Sequence, residues 1–264
     1  MRRSVTTLYR HPVKGLSPQR LDSVVLTPGL PVPGDRRFAI AHGDADLDPA
    51  APRWLSKRAF MALHAMPALA SLTTDWDEAG GELEIRRRGQ LLLRADLRDP
   101  AGRAALEAFF HDFAGRDARG RPRLVEAADF AFTDVDAPLV SIACSASLRD
   151  LERAAGVAID IRRFRANIVV EGGLPWQELD WVGQEIEIGG ARLRVVEPIV
   201  RCAATCANPA SGESDLNIPR LLVRLRGEPV FAVYAEVLAG GVVRAGDGVI
   251  APEGGALGTH DLGV

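Results

Sequence analysis

Lysine is almost missing from this chain of 264 residues: of its 32 basic side chains, all but Lys14 and Lys57 are arginine. Asparagine is as scarce, occurring only as Asn167, Asn208 and Asn217. A genomic base bias accounts for much of such a skew, so each surviving lysine or asparagine marks a place to look for chemistry that arginine or aspartate does not offer. Lys57 and Asn217 have no role that the sequence suggests, and Lys57 reads as an exposed cation. Cysteine is limited to Cys144, Cys202 and Cys206, an odd and sparse set that excludes the disulfide framework of a small secreted protein and predicts free thiols. Excess charge of one sign is also missing. A net charge of -3 gives no global field toward nucleic acid or an anionic membrane, so neither is expected as a partner and any anion site must be local. No apolar run approaches the roughly 20 residues of a membrane span. Met1 to Gly15 lacks the apolar segment of a signal peptide, and the chain reads as cytoplasmic. No GxGxxG or Walker-type loop offers a handle for dinucleotides or nucleoside triphosphates.

What is present is the composition of an ordinary globular protein, 47% hydrophobic and 25% charged, long enough for one large domain or two ordinary ones. Short β-like runs at Ser4 to Tyr9, Leu21 to Leu26 and Arg37 to Ala41 are separated by Pro and Gly turns. A loop over Asp44 to Pro52 follows, then strands at Leu69 to Asp75, Glu82 to Arg87 and Gln90 to Ala95. Pro100 to Ala114 carries helical spacing, with Pro at its start and Gly115 just past its end. The glycine-bearing, charged stretch Arg116 to Pro122 predicts a boundary that divides the chain into residues 1–120 and 121–264. Beyond it, strands are expected at Pro138 to Ala143, Arg165 to Glu171, Glu185 to Ile188, Ala191 to Glu197 and Val230 to Leu238. Helices are expected at Ser145 to Ala155, capped by Ser145 or Ser147, and at Pro219 to Arg226. Many short strands, few helices and no repeating βαβ period predict a mainly β, α+β protein built from β-barrels.

Cys202 follows a β-run, with Arg201 beside it and a polar loop after it. As a thiolate it would be both a nucleophile and a soft metal ligand; as a thiol it would be a small core residue. Cys-x3-Cys with Cys206 lacks the further ligands that a closed zinc site needs, and His11, His42, His64, His111 and His260 are scattered. Lys14 and Gly15 lie in a turn where an ammonium and free amides can hold an oxyanion. Arg36 adds a planar fork suited to phosphate. Arg165 and Asn167, two apart, present a guanidinium and an amide on one side of a regular strand, either as a ligand-binding pair or as the polar face of an edge strand. Trp176 and Trp181 read as core or loop anchors.

The order of Tyr9 to Ser17, Asp35-Arg36, Pro138 to Leu151, Phe164 to Gly172, Arg201-Cys202, Asn208-Pro209, Phe231 to Tyr234 and Gly246-Asp247 resembles the MOSC family, the molybdenum-cofactor sulfurase C-terminal domain, preceded by its N-terminal β-barrel domain. The resemblance spans nearly the whole chain. It implies a molybdenum cofactor, the metal held by a pyranopterin dithiolene and by Cys202, which is then both the metal ligand and the catalytic residue. It also implies cofactor contacts from Lys14, Gly15, Arg36, Ser147, Arg165, Asn167, Arg201 and Tyr234. The activity implied is reduction of N-hydroxylated or N-oxide small molecules, as in the amidoxime-reducing branch. The alternative is a carrier of cofactor or sulfur that uses Cys202 as a persulfide site. Three features depart from that branch: Gly15 stands where serine is usual, Val200 replaces a polar residue, and Cys206 with Asn208 replaces Thr and Asp. The chain has no ferredoxin-like cysteine cluster, so a separate electron-transfer reductase is the implied partner.

Overall fold

In strand β1 (Ser4–Arg10) the two buried residues, Val5 and Leu8, are three apart rather than two. A bulge between Val5 and Thr7 adds the extra residue and turns both side chains to the same interior. The computed structural model describes residues 2–252. After β1 come β2 (Gln19–Leu21), β3 (Ser23–Leu26), β4 (Phe38–Ala41), β5 (Leu72–Asp77), β6 (Glu82–Arg87), β7 (Gln90–Asp96), helix α1 (Pro100–Ala114) and β8 (Arg123–Glu126). The second half adds β9 (Val140–Cys144), α2 (Ser145–Ala155), β10 (Ile168–Glu171), β11 (Glu185–Ile188), β12 (Ala191–Val200), α3 (Ile218–Arg226), β13 (Val230–Ala239), β14 (Gly241–Arg244) and β15 (Val249–Ile250). The protein is mainly β, as its many short strands imply.

The largest sheet runs β15-β11-β12-β13-β9-β10-β1-β2. Its pairs are antiparallel except β9 and β10, whose parallel pairing requires a crossover that α2 supplies. The sheet curls until its ends approach. Val5 N donates to Asp247 O at 2.8 Å and Val249 N to Arg3 O at 3.0 Å, joining β1 to the approach to β15. Inside the curl lie Leu8, Val140, Ile168, Trp181, Leu193 and Val233. A second body is formed by the β4–β8 pair, the β5-β6-β7 meander and α1. Its core holds Phe38, Trp76, Leu83, Ile85, Leu106 and Phe110. Helix α1 begins where the Asp99 carboxylate accepts from Ala101 N ahead of Pro100, and it stops at Gly115, whose φ of 52° no β-carbon favours. β1 and β2 belong to the large sheet, and β3 pairs with β14. The sheets therefore do not divide the chain where sequence order does.

Three local expectations are corrected. The run Leu69 to Asp75 splits, because Pro67 starts a 3-10 turn over Pro67–Ser71 and β5 begins only at Leu72. Neither Ser145 nor Ser147 caps α2; the capping position falls to Cys144, whose side chain makes no capping bond. Arg165 and Asn167 precede β10 instead of lying in it, because Arg165 takes a left-handed conformation with φ 54°.

Asn167 ties this junction together. Its Oδ1 accepts from Ser141 N at 3.2 Å and Ser141 Oγ at 2.7 Å, and its Nδ2 donates to Tyr9 O at 3.2 Å. The amide thus links the β9 and β1 sides of the sheet using donor and acceptor at once. Asn167→Asp keeps the acceptor but turns an anionic oxygen toward the Tyr9 carbonyl. We expect it to lower stability by about 1–3 kcal/mol, the cost of an unmatched buried polar group, read as a lower urea midpoint at neutral pH.

Candidate functional site

A cavity of about 450 Å³ opens where the two bodies meet. Its walls come from the turn after β1, from Arg36, from the chain around Lys57 and His64, from the loop between β8 and β9, from residues 163–167, and from Cys202 and Tyr234. Several cations share this small space, and backbone oxygens hold most of them. Arg165 Nη1 donates to Leu16 O at 2.6 Å, and Arg36 Nη2 donates to Arg165 O at 2.9 Å. Arg201 donates from Nε to Phe231 O at 2.8 Å and from Nη1 to Phe164 O at 2.9 Å. Each therefore faces the cavity from a fixed position.

The charges act on one another. Burial and the nearby Arg36 guanidinium push Arg165 down to about 9, and burial pushes Arg201 down to about 10, so both remain cationic at neutral pH. Burial raises the Asp35 carboxyl, but Arg36, which is ion-paired with it, and His11 outweigh burial and hold it below the usual carboxylate range. Burial also raises the Tyr234 phenol. Among the described residues, buried guanidinium donors on this cavity, Arg165 Nη2 and Arg201 Nη2 among them, have no partner. Unpaired buried guanidinium N–H groups are costly, and an anionic ligand in the cavity would satisfy them.

Lys14 lies on the cavity wall, but its ammonium is already engaged. It donates to Phe132 O at 2.8 Å, Asp134 Oδ1 at 2.7 Å and Thr133 O at 3.4 Å. Burial lowers its pKa and Asp134 opposes that change. An oxyanion must therefore share or displace Asp134. Gly15, with φ 84°, occupies a turn where an added β-carbon would sit 2.9 Å from Met61 O. The serine usual at this point in the resembling proteins has no room here, leaving the backbone amide as the only group this residue can present. Asn167 lines the cavity while serving as the junction tie.

Ser147 departs from expectation. It is fully buried in α2 and does not line the cavity; its Oγ donates to Glu178 Oε2 at 2.7 Å and accepts from Trp176 N at 2.7 Å. Trp176 and Trp181 are core residues, as read from the sequence.

Cys202 stands two residues beyond the end of β12 and is partly exposed. Its neighbour lies far away in the sequence. Lys57 Nζ lies 3.3 Å from Cys202 Sγ and 3.5 Å from Asp134 Oδ2, so Lys57 is a site residue and not a solvated cation. The scarcity of lysine was the only signal for it. Among the described residues no group of three or more His, Cys, Asp and Glu could hold a metal ion, and His260 lies outside those residues. A metal at Cys202 would need ligands supplied by a cofactor. A thiol beside unpartnered guanidinium donors suits a group carrying both a soft metal centre and an anionic end.

A two-part β fold with an arginine-rich cavity around one cysteine defines the class of protein. Residues 2–135 match the MOSC N-terminal beta barrel domain and residues 129–250 the MOSC domain, and the chain belongs to this MOSC family. A molybdenum cofactor sulfurase of Drosophila mojavensis is 31% identical over 90 residues, covering 34% of this chain and 11% of that protein. Mitochondrial amidoxime reducing component 2 of Bos taurus is 29% identical over 126 residues, covering 43% of this chain and 37% of the relative. The chain thus spans only a minor part of these relatives. The crystal structure of a YUAD protein from Bacillus subtilis matches with 14% identity and a TM-score of 0.44, over 94% of each chain. Among the described residues no helix is long and apolar enough to cross a membrane.

Two outcomes follow from the buried geometry. Gly15→Ser is expected to lose about 2 kcal/mol of stability, because it combines a left-handed backbone with a contact against a fixed carbonyl; urea unfolding measures this. Glu178 is fully buried, and burial pushes its carboxyl up to about 7 against an ordinary 4.5. The native state therefore keeps a proton that the unfolded chain releases. The stability from protonated Glu178 is complete below about 4.5 and is lost as pH rises to about 7. At about 1.4 kcal/mol per unit this amounts to about 3.5 kcal/mol. Urea unfolding across that range should show the fall in the parent protein and a flatter profile in Glu178→Gln.

Proposed function

We propose that this chain is a molybdenum-cofactor oxidoreductase that removes oxygen from N-hydroxylated or N-oxide small molecules, with electrons from a separate reductase protein. The observation that carries the reading is the convergence of the Cys202 thiol with the unpartnered donors of Arg165 and Arg201 on one cavity. The MOSC family and the bovine relative's name as an amidoxime reducing component support it.

The cofactor, when bound, would supply a molybdenum centre that exchanges two electrons. Cys202 would be its protein ligand, a thiolate being a soft donor suited to such a metal. Arg36, Arg165 and Arg201 would hold the anionic end, with Lys14 joining if Asp134 lets go. The Gly15 amide and Asn167 would complete the polar wall, and Tyr234 would close one side. Fixed donors of this kind need no reorganisation as charge arrives. The overall change balances as one N–OH, two protons and two electrons giving one N–H and one water. Phe164 and Ile199 supply apolar wall, which limits the water that can reach the reacting atoms.

A second reading has its own support in the sulfurase relatives: Cys202 as a persulfide-bearing carrier. The same preparation separates the two. Protein made in a cofactor-competent host should contain molybdenum and pterin and should reduce N-hydroxylated compounds. Cys202→Ala should lose the metal and the activity while keeping its circular dichroism and unfolding midpoint. Metal retained in that variant would rule out Cys202 as the ligand. A mass one sulfur atom heavier at Cys202, with no turnover, would favour the carrier.

A further inference from the structure

The only two lysines of the chain meet at one carboxylate. Lys14 reaches Asp134 Oδ1 at 2.7 Å and Lys57 reaches Asp134 Oδ2 at 3.5 Å. They are held differently. The Lys14 side chain is 7% exposed and all three of its N–H groups have acceptors; the Lys57 side chain is 33% exposed and has two contacts, Asp134 and Cys202 Sγ. One donor of Lys57 is thus unclaimed among the described residues, on a side chain that lines the cavity. The carboxylate it leans on is already neutralised from closer range by Lys14.

A lysine ammonium one-third open to solvent is charged at neutral pH by its ordinary chemistry. His64, on the same wall, is pushed down by burial and then by Lys57 itself, so at neutral pH it is an uncharged neighbour. Lys57 thus brings a positive charge to the cavity wall. Its compact head on a flexible stem can follow a ligand, whereas a guanidinium presents a rigid fork. In a chain that uses arginine nearly everywhere else, lysine at this point suits a mobile partner.

We propose that Lys57 is a specificity-determining residue that binds an oxyanion, most simply a carboxylate, on the small molecule brought to Cys202. The assignment rests on the reductase reading for the reaction but not for the binding. It narrows the substrate class to N–O compounds that carry a negative group within a few atoms of the reducible nitrogen. It disfavours N-hydroxylated bases that bind as cations.

The test uses the cofactor-free chain and the cysteine itself. Iodoacetate and iodoacetamide form the same C–S bond with loss of iodide and differ in the carboxylate, so the ratio of their rates at Cys202, followed by peptide mass spectrometry, divides out the thiol's own reactivity. Lys57→Met should lower the iodoacetate-to-iodoacetamide ratio about fivefold, the factor matching about 1 kcal/mol between charges near 4 Å in water; Lys57→Arg should retain most of it. In the unmodified protein, acetate should slow alkylation by iodoacetamide more than acetamide does, a measurement that needs no variant. An unchanged ratio in folded Lys57→Met, or equal protection by acetate and acetamide, overturns the assignment. If the ratio falls but protein from a competent host binds no molybdenum, the oxyanion site stands and the reductase reading fails. If metal binds and N–O compounds are reduced while the ratio is unchanged, the Lys57 assignment alone fails.

Discussion

Several like charges around one small cavity repel each other, and the fold's central task is to hold them there. Arg36, Arg165 and Arg201 are fixed mainly by backbone oxygens of Arg165, Leu16, Phe231 and Phe164, which orient guanidinium groups without cancelling their charge. Two carboxylates oppose them closely: Asp35, ion-paired with Arg36, and Asp134, shared by the two lysines. The result is a site organised in advance for an anion, with its cost carried by the surrounding sheets. Preorganised donors of this kind are worth more in a dry cavity than in water.

Topology brings these groups together from distant parts of the chain. The turn with Lys14 and Gly15 follows β1, and β1 pairs with β10, directly after Arg165 and Asn167. β10 pairs with β9, β9 with β13, and β13 with β12, which leads to Arg201 and Cys202. Backbone ladders thus run from one wall of the cavity to the other. The loop with Asp134 leaves the second body after β8 and adds a carboxylate that both lysines touch.

How far the sequence exposes this arrangement depends on the range of the interaction. Helix α1 was legible to both ends because its signals are local: Asp99, Pro100, apolar spacing, Gly115. The mainly β character and the cysteine at a strand end were legible for the same reason. Arg165 was misplaced into a strand because a left-handed turn at a non-glycine residue leaves no compositional trace. The place of Ser147 away from the cavity leaves no trace in the sequence because the partner that claims it, Glu178, is a buried carboxyl 31 residues on. Lys57 was invisible as a neighbour of Cys202 because 145 residues separate them; only its rarity as a residue type hinted at a use.

Rarity also has a physical reading for asparagine. Asn208 Nδ2 donates to Asp215 Oδ2 at 2.6 Å while its Oδ1 accepts from Ala210 N at 2.8 Å. Asp215 is itself ion-paired at 2.7 Å with the buried Arg163, whose Nη1 donates to Cys206 O at 2.9 Å. An aspartate at 208, the residue usual in the resembling proteins, would set two carboxylates against a single guanidinium. The amide avoids that repulsion and still closes its own turn. Asn167 has the same double use, donor toward Tyr9 and acceptor toward Ser141. Among the described residues the Asn217 side chain serves only as an acceptor, from Arg220 N at the start of α3, a task aspartate performs equally well. The two asparagines with a double use are the two on the cavity wall and in the loop after Cys202; the third sits at a helix end. Scarcity thus separates positions by chemistry once the partners are known: where both a donor and an acceptor are required, the amide is retained.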